Sequence, residues 1–413
     1  MASKHKRNRR LREQPNFFGN GQIDLPSFAS TPEEIRQAVE ANAIQRGILF
    51  VKVIMFQDFD GLIETVERLA AQCDREDFYE AAPDLGIDVE ALRILDNAST
   101  PVPYPYYFCT PIYLIEYPEL VRYYRNVAML SQKVMGGIGL GTSAYEERKV
   151  VPTEDIAFDL TRYFNGIVNA LIQTKGSVTP YGHIQMAFSN MGDSLGGMSR
   201  NEIGRIASGQ IVRMLASHLH QKGLLNSIIY RLKGRFDEDE ESTQADYGDE
   251  QILFISPNHN LEMELSRLDD YRVKYREITL NNGNRLLINR QLEWSNAEGK
   301  SYKIGPDMVS QTHEIDLKWA GELKGGADPA GSDEHWKTAT QALGRIREAC
   351  EKTGRPKPEL SFIATIIVER VAIEAQQWIE QDKLTSVYNL TRIINDLKEK
   401  QKFLDAMTSY LGF

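Results

Sequence analysis

The sequence predicts an α/β fold, with a central mixed β-sheet flanked by helices in its C-terminal half and a mostly helical region before it. Three observations predict this. Up to Leu232 the chain carries helical apolar periodicity or loop composition almost throughout. Across an acidic stretch, Asp237 to Glu241 followed by Asp246, Asp249 and Glu250, the pattern changes to short strand-like runs. Leu360 to Val368 is then a continuous apolar run of the kind buried on both faces of a sheet.

The elements follow in order. Residues 1–30 read as a basic flexible arm containing Lys4, Lys6, Arg7, Arg9, Arg10 and Arg12. Residues 31–235 form the mostly helical region. It opens at Thr31-Pro32-Glu33-Glu34, with threonine as cap, proline in the first turn and glutamate at the third position. Leu62, Val66, Leu69 and Ala70 fall on one helical face, residues 98–112 read as an ordered Pro- and Tyr-rich loop, and 118–136 and 154–174 read as helical. Gly136 to Gly141 lacks the lysine and hydroxyl of a phosphate loop and reads as a connector. Ser199 to His220, with Arg200, Arg205 and Arg213 spaced along it, reads as an ordinary amphipathic helix or, alternatively, as a helix that lies in a groove. Residues 236–250 form an acidic surface loop.

Residues 251–413 form the sheet-containing domain. Gln251 to Ser256 reads as a strand and Leu261 to Tyr275 as a helix. Ile278–Leu280 and Leu286–Ile288 flank Asn281-Asn282-Gly283-Asn284, a strong hairpin signal. Tyr302 to Ile304 is strand-like, and Ile315, Leu317, Trp319, Gly321 and Leu323 alternate as a half-buried strand does. Gly325-Gly326 ends that strand, Ser332 or Asp333 caps a helix running to about Cys350, and two more helices follow Val368.

At 413 residues with 42% hydrophobic composition, the chain is long enough for two domains and a sizeable core. No apolar run of about 18 residues or more occurs, so no membrane span is expected, and the basic start is not followed by the apolar stretch of a secretory signal. Cys73, Cys109 and Cys350 lack paired spacing, which excludes a disulfide framework or zinc cluster and fits a cytoplasmic protein. The net charge of −10 argues mildly against DNA binding, although the distribution of charge matters more than its sum.

The chemistry concentrates between Gly305 and Lys337. Asp307 follows Pro306 at the start of one strand, and Glu322-Leu323-Lys324 closes the next. Side chains alternate along a strand, so Glu322 and Lys324 share a face while Leu323 enters the core. A hairpin return brings Asp307 beside them. Two carboxylates at one point make a hard-oxygen site of the kind that holds Mg²⁺. An adjacent lysine orients water and steadies charge on a phosphate, completing the parts for metal-assisted phosphodiester hydrolysis. Similar triplets occur at Glu298-Gly299-Lys300, in a turn, and at Asp316-Leu317-Lys318, which is the runner-up pair or a neighbour of the site.

Pro306-Asp307 with Glu322-Leu323-Lys324 resembles the signature of the PD-(D/E)xK nucleases. Residues 325–338, Gly-Gly-Ala-Asp-Pro-Ala-Gly-Ser-Asp-Glu-His-Trp-Lys-Thr, extend the likeness to type II restriction endonucleases of the AvaI, BsoBI and XamI neighbourhood. The resemblance implies a restriction-endonuclease-like core, with Asp307 and Glu322 binding the catalytic Mg²⁺. It also implies that Lys324 positions the attacking water, and that His335 is catalytic or contacts a phosphate. Trp336 reads as core packing, and Lys337 as a phosphate contact or a solvated lysine.

The resemblance further implies Mg²⁺-dependent cleavage of double-stranded DNA at a short site. It implies a prokaryotic cytoplasmic homodimer, matching a palindromic site, with a cognate DNA methyltransferase as genetic partner. Residues 31–235 would form the clamp or dimer contact. Lys4, Lys6, Arg7, Arg9 and Arg10 would reach DNA, unless the arm is only a solubilising tail, and the acidic stretch could screen the DNA channel. Arg285, Asn289, Arg290 and Gln291 are near the site and polar enough for base contacts, but read first as a solvated hairpin. The alternatives are a repair or recombination nuclease of the same fold, or a DNA-binding protein with an inactive core. A nucleotide hydrolase would need the phosphate loop this chain lacks.

Overall fold

The computed structural model describes residues 25–56, 58–176, 178–232, 248–256, 258–268 and 273–413. Lys4, Lys6, Arg7, Arg9, Arg10 and Arg12, and most of the acidic stretch, lie outside the described residues.

Helix α1 (Pro32–Phe56) starts at the expected capping box: Thr31 Oγ1 accepts from Glu34 N at 3.2 Å, and Glu34 Oε2 accepts from Thr31 N at 2.8 Å. Helix α2 (Phe59–Gln72) buries Leu62, Val66 and Leu69 on one face. Helices α3 (Arg75–Ala81) and α4 (Val89–Asp96) are capped by Asp74 and Asp88, and α5 (Pro111–Glu116) by Thr110. Helix α6 (Leu120–Val127) is buried throughout, Arg122 and Arg125 included. After α7 (Gln132–Gly137), Glu146 on α8 (Ser143–Glu146) answers that buried charge, taking the Arg125 Nε at 2.6 Å. Helix α9 (Glu154–Lys175) ends at Gly176 with φ 67°, a left-handed cap suited to glycine.

Helix α10 (Gly182–Gln221) is 40 residues long and joins two apolar clusters. Ala187 and Met191 in its first half pack with α2, α6 and α9, while Ala207, Ile211, Val212, Leu215 and Leu219 in its second half pack against the sheet.

The main sheet has eight strands in the order β10-β9-β8-β7-β4-β3-β1-β2. These are β1 (Leu225–Leu232), β2 (Gln251–Phe254), β3 (Val273–Leu280), β4 (Arg285–Ile288), β7 (Met308–Gln311), β8 (Leu317–Lys324), β9 (Glu359–Ala364) and β10 (Ser386–Asn389). Between β4 and β7, β5 (Leu292–Ser295) and β6 (Ser301–Ile304) form a separate hairpin, with Glu298-Gly299-Lys300 in its turn. Pairing is antiparallel from β2 across to β8, then parallel through β9 and β10, so the sheet is mixed, as expected. The parallel connections run through α12 (Ser332–Thr353) and α13 (Glu369–Glu380), whose apolar faces cover one side of the sheet. On the other side lie α10 and α15 (Leu397–Tyr410), the latter preceded by α14 (Leu390–Asn395). Helix α11 (Leu261–Arg267) packs beside α10.

Several expectations are corrected. Residues 225–232, read as helix and loop within the N-terminal region, form β1 and pair with both β2 and β3. Ile228, Ile229 and Tyr230 are strand formers, and a register shift beside Tyr230 hides their alternation. The helix expected to Tyr275 ends at Arg267, because Val273 and Tyr275 alternate with Lys274 and Arg276 as strand residues. The apolar run from Leu360 is strand only to Ala364. Strand β10 was not expected among the last helices; its four residues are too few to display a period. The first residue before α12 is Gly331, with Ser332 already inside the helix and no side-chain cap formed.

Candidate active site

The β7–β8 pairing builds the site. Met308 is paired with Gly321, so Asp307, one residue before β7, comes beside Glu322 near the end of β8. Asp307 Oδ2 accepts from Leu323 N at 2.7 Å, which ties this carboxylate to the neighbouring strand. From the other side, Asn289 N donates to Asp307 O at 2.8 Å. Asn289 adopts φ 49°, in the left-handed region that asparagine tolerates better than most residues.

Strand alternation distributes the triplet as the sequence suggests. Leu323 enters the core beneath α10, and Glu322 and Lys324 share the opposite face. Lys324 Nζ donates to Glu322 Oε2 at 3.1 Å and lies 3.9 Å from Asp307 Oδ2. Glu322 is only 3% exposed. Burial first, then the adjacent Asp307 charge, pushes its carboxyl up to about 8, with Lys324 opposing. The cluster therefore brings two carboxyl groups and one ammonium together, with Glu322 buried and Asp307 and Lys324 partly exposed.

Two glycines allow the close packing that follows. A Cβ on Gly325 would stand 2.7 Å from Ala207 Cβ and 3.0 Å from Ile203 O, so the end of β8 presses on α10. A Cβ on Gly326 would stand 2.8 Å from His335 Cε1. His335 thus lies against the segment two residues beyond Lys324, half-buried near the start of α12. Trp336 is core: it is buried, its Nε1 donates to Glu374 Oε2 at 2.9 Å, and its ring meets Phe362 and Trp378 edge-on. Lys337 is exposed on α12.

The runner-up pair is elsewhere. Asp316 sits just before the opposite end of β8, roughly 20 Å from Glu322 along the strand, and pairs with Arg355 at 3.6 Å. Arg205 and Arg213 are engaged within the fold: Arg205 pairs with Glu202 and donates to Val273 O, and Arg213 donates to Tyr275 Oη and Leu268 O. Of the polar candidates after the hairpin, Arg285 bonds Gln311, Arg290 bonds Glu250 and Gln291 is exposed. Asn289 is the residue sequence reasoning placed only loosely; its signal is an asparagine directly after an apolar strand, where the chain must turn.

Among the described residues no group of three or more His, Cys, Asp or Glu side chains converges. Two carboxylates nevertheless suit Mg²⁺, which keeps several waters and completes its shell with substrate oxygens. Among the described residues, no helix is long and apolar enough to cross a membrane.

A family model described as restriction endonuclease BsobI matches residues 184–398, from the start of α10 into α15. The chain is 30% identical over 208 residues to the type II restriction enzyme BsoBI of Geobacillus stearothermophilus. It is also 30% identical over 202 residues to the type II restriction enzymes AvaI of Nostoc sp. and of Anabaena variabilis. Each match covers 49% of this chain and 58% of the relative, so the chain spans under two thirds of the curated relatives it matches.

Proposed function

Since the chain belongs to the BsobI family of restriction endonucleases, we propose that it hydrolyses phosphodiester bonds in double-stranded DNA at a short specific site, with Mg²⁺ as cofactor. The observation that carries this reading is the convergence of Asp307, Glu322 and Lys324 at the end of one hairpin. The burial of Glu322 beside Asp307 supports the metal, because a bound dication supplies the positive charge that lets both carboxylates ionise together. Asp307 and Glu322 would hold the Mg²⁺, which when bound polarises the scissile phosphate and lowers the pKa of an attacking water.

The remaining work falls to the chain itself. Leu323 N fixes the aim of Asp307, and Asn289 fixes its main chain. Lys324 is held by Glu322 and presents its ammonium to the charge that builds on the phosphate oxygens. His335, beside Gly326, takes the proton leaving the water at a ring nitrogen or donates from that nitrogen to a phosphate oxygen. Lys337, exposed on α12, adds a phosphate contact. On this reading the nuclease unit comprises the second half of α10 and β1 through α15. Helices α1 to α9 with the first half of α10 act as clamp and dimer contact, and the basic arm that includes Lys4 and Arg10 adds phosphate contacts.

A homodimer gives one such site per strand of a palindrome. A DNA methyltransferase that protects the host site is the expected genetic partner, in a prokaryotic cytoplasm. Incubating supercoiled plasmid with Mg²⁺ and mapping the ends tests the function. Discrete fragments with both strands cut at one short sequence support it. Cutting that follows DNA structure instead of sequence favours a repair nuclease, and no cutting at all overturns the reading.

A further inference from the structure

Beside the strand that leads to Asn289, three arginines gather around the Glu250 carboxylate, with Lys274 next to them on β3. Glu250 immediately precedes β2, and the pairing of Gln251 with Tyr230 brings it next to Arg231. Its side chain, 29% exposed, lies 3.0 Å from Arg290 Nη2, 3.4 Å from Arg231 Nη2 and 3.7 Å from Arg276 Nε. Lys274 is paired with Arg231 across β1 and β3. Val273 and Tyr275 face α10, so Lys274 and Arg276 between and after them point to the other face of the sheet.

This is not how a closed structural ion network looks. Among the described residues, the Nε atoms of Arg231, Arg276 and Arg290 are all buried without a hydrogen-bond partner. Burial, then the charges of Arg276, Arg231 and Arg205, hold the Lys274 ammonium below its usual range. The group also touches the candidate active site: Arg276 Nη1 donates to Asn289 O at 3.0 Å, and Asn289 N donates to Asp307 O at 2.8 Å. A phosphate offers more acceptor oxygens than the Glu250 carboxylate does, and suits guanidinium forks.

We propose that Arg231, Lys274, Arg276 and Arg290 form a binding site for a phosphate of the DNA backbone, and that Glu250 holds this site as an internal stand-in for phosphate until DNA displaces it. The inference rests on the nuclease reading above. It gives the end of the acidic stretch, Asp246, Asp249 and Glu250 in sequence, a purpose: it weakens unproductive binding, because DNA must compete with a tethered anion.

The test is equilibrium binding of a DNA duplex of arbitrary sequence, without metal, across a salt series, with thermal melts run in parallel. Glu250→Gln should bind roughly threefold to tenfold more tightly at moderate salt, and its log–log salt slope should steepen by about one. Arg290→Gln should weaken binding to all sequences alike and flatten the slope by about one. Lys274→Gln repeats the test without leaving Glu250 short of its arginines, should Arg290→Gln unfold. If wild type binds DNA but folded Glu250→Gln binds no tighter and the cation variants no weaker, the cluster is structural and only this inference falls. If wild type shows no salt-dependent DNA binding, the inference falls together with the nuclease reading.

Discussion

Leu323 N donates to Asp307 Oδ2 at 2.7 Å, so the main chain of one strand aims the carboxylate of its neighbour. Asparagine at position 307 retains an oxygen to accept this bond, so the hairpin should survive the change. Asp307→Asn is expected to abolish Mg²⁺-dependent cleavage and to leave DNA binding without metal equal or tighter, because one negative charge facing the phosphate is gone. Single-turnover cleavage and metal-free binding measure the two effects. Near-normal cutting would mean that the metal carboxylates have been chosen wrongly, and Asp316 could not replace Asp307, given its place at the far end of β8.

Lys324 stands between the two carboxylates, 3.1 Å from Glu322 and 3.9 Å from Asp307. Lys324→Ala removes the fixed positive charge aimed at the reacting phosphate. The expected loss in single-turnover rate is on the order of 10²–10³-fold, the scale seen when one preorganised stabilising donor is removed. A loss confined to DNA affinity, with the rate at saturating DNA intact, would demote the lysine to a binding residue.

The legibility of this site in the sequence follows from its locality. Asp307, Glu322 and Lys324 sit on one hairpin, so strand alternation and one turn suffice to bring them together. The sheet around them is less local. Strand β1 follows α10 after only a short turn, and its register shift breaks the alternation that would mark it. The arginine cluster was unreadable for the same reason: Arg231, Lys274, Arg276 and Arg290 meet only once the β4-β3-β1-β2 order is known. The bracing of Asp307 by the backbone N–H of Leu323 leaves no side-chain signature, and at Asn289 the asparagine marks only a turn.

His335 lies against Gly326 at the Lys324 end of β8. His335→Ala is expected to slow single-turnover cleavage on the order of 10²–10⁴-fold and to alter the low-pH limb of the rate profile, as loss of a proton acceptor does. A pH profile of unchanged shape with weakened binding would make His335 a phosphate contact. Full rate together with full affinity would leave it as packing at the start of α12.

The last prediction concerns the N-terminal core. His183 is 3% exposed, its Nδ1 lies 2.6 Å from Tyr123 Oη, and its ring stacks on Tyr106 at 4.5 Å. Burial holds its pKa down to about 4, against a weaker raising effect from the Pro180 carbonyl. In the unfolded chain the same histidine takes up its proton near pH 6.5. The folded state therefore binds fewer protons between these values, and stability falls as the pH drops through that window. The stabilisation is complete above about pH 6.5, and the total loss by pH 4 is on the order of 3 kcal/mol, of which about 2 kcal/mol has gone at pH 5. Other groups titrate as well: Glu146 is held low by Arg125 despite its burial, and Glu322 is raised by its own. Both remain in a His183→Gln variant, which keeps a hydrogen-bonding side chain at this position, so the difference between the two proteins isolates His183. Denaturant unfolding at pH 7 and pH 5 should show His183→Gln less stable at pH 7 but flatter with pH, by about 2 kcal/mol over that interval. Parallel pH dependences in the two proteins would show that the imidazole ionises in place, and that burial does not hold it neutral.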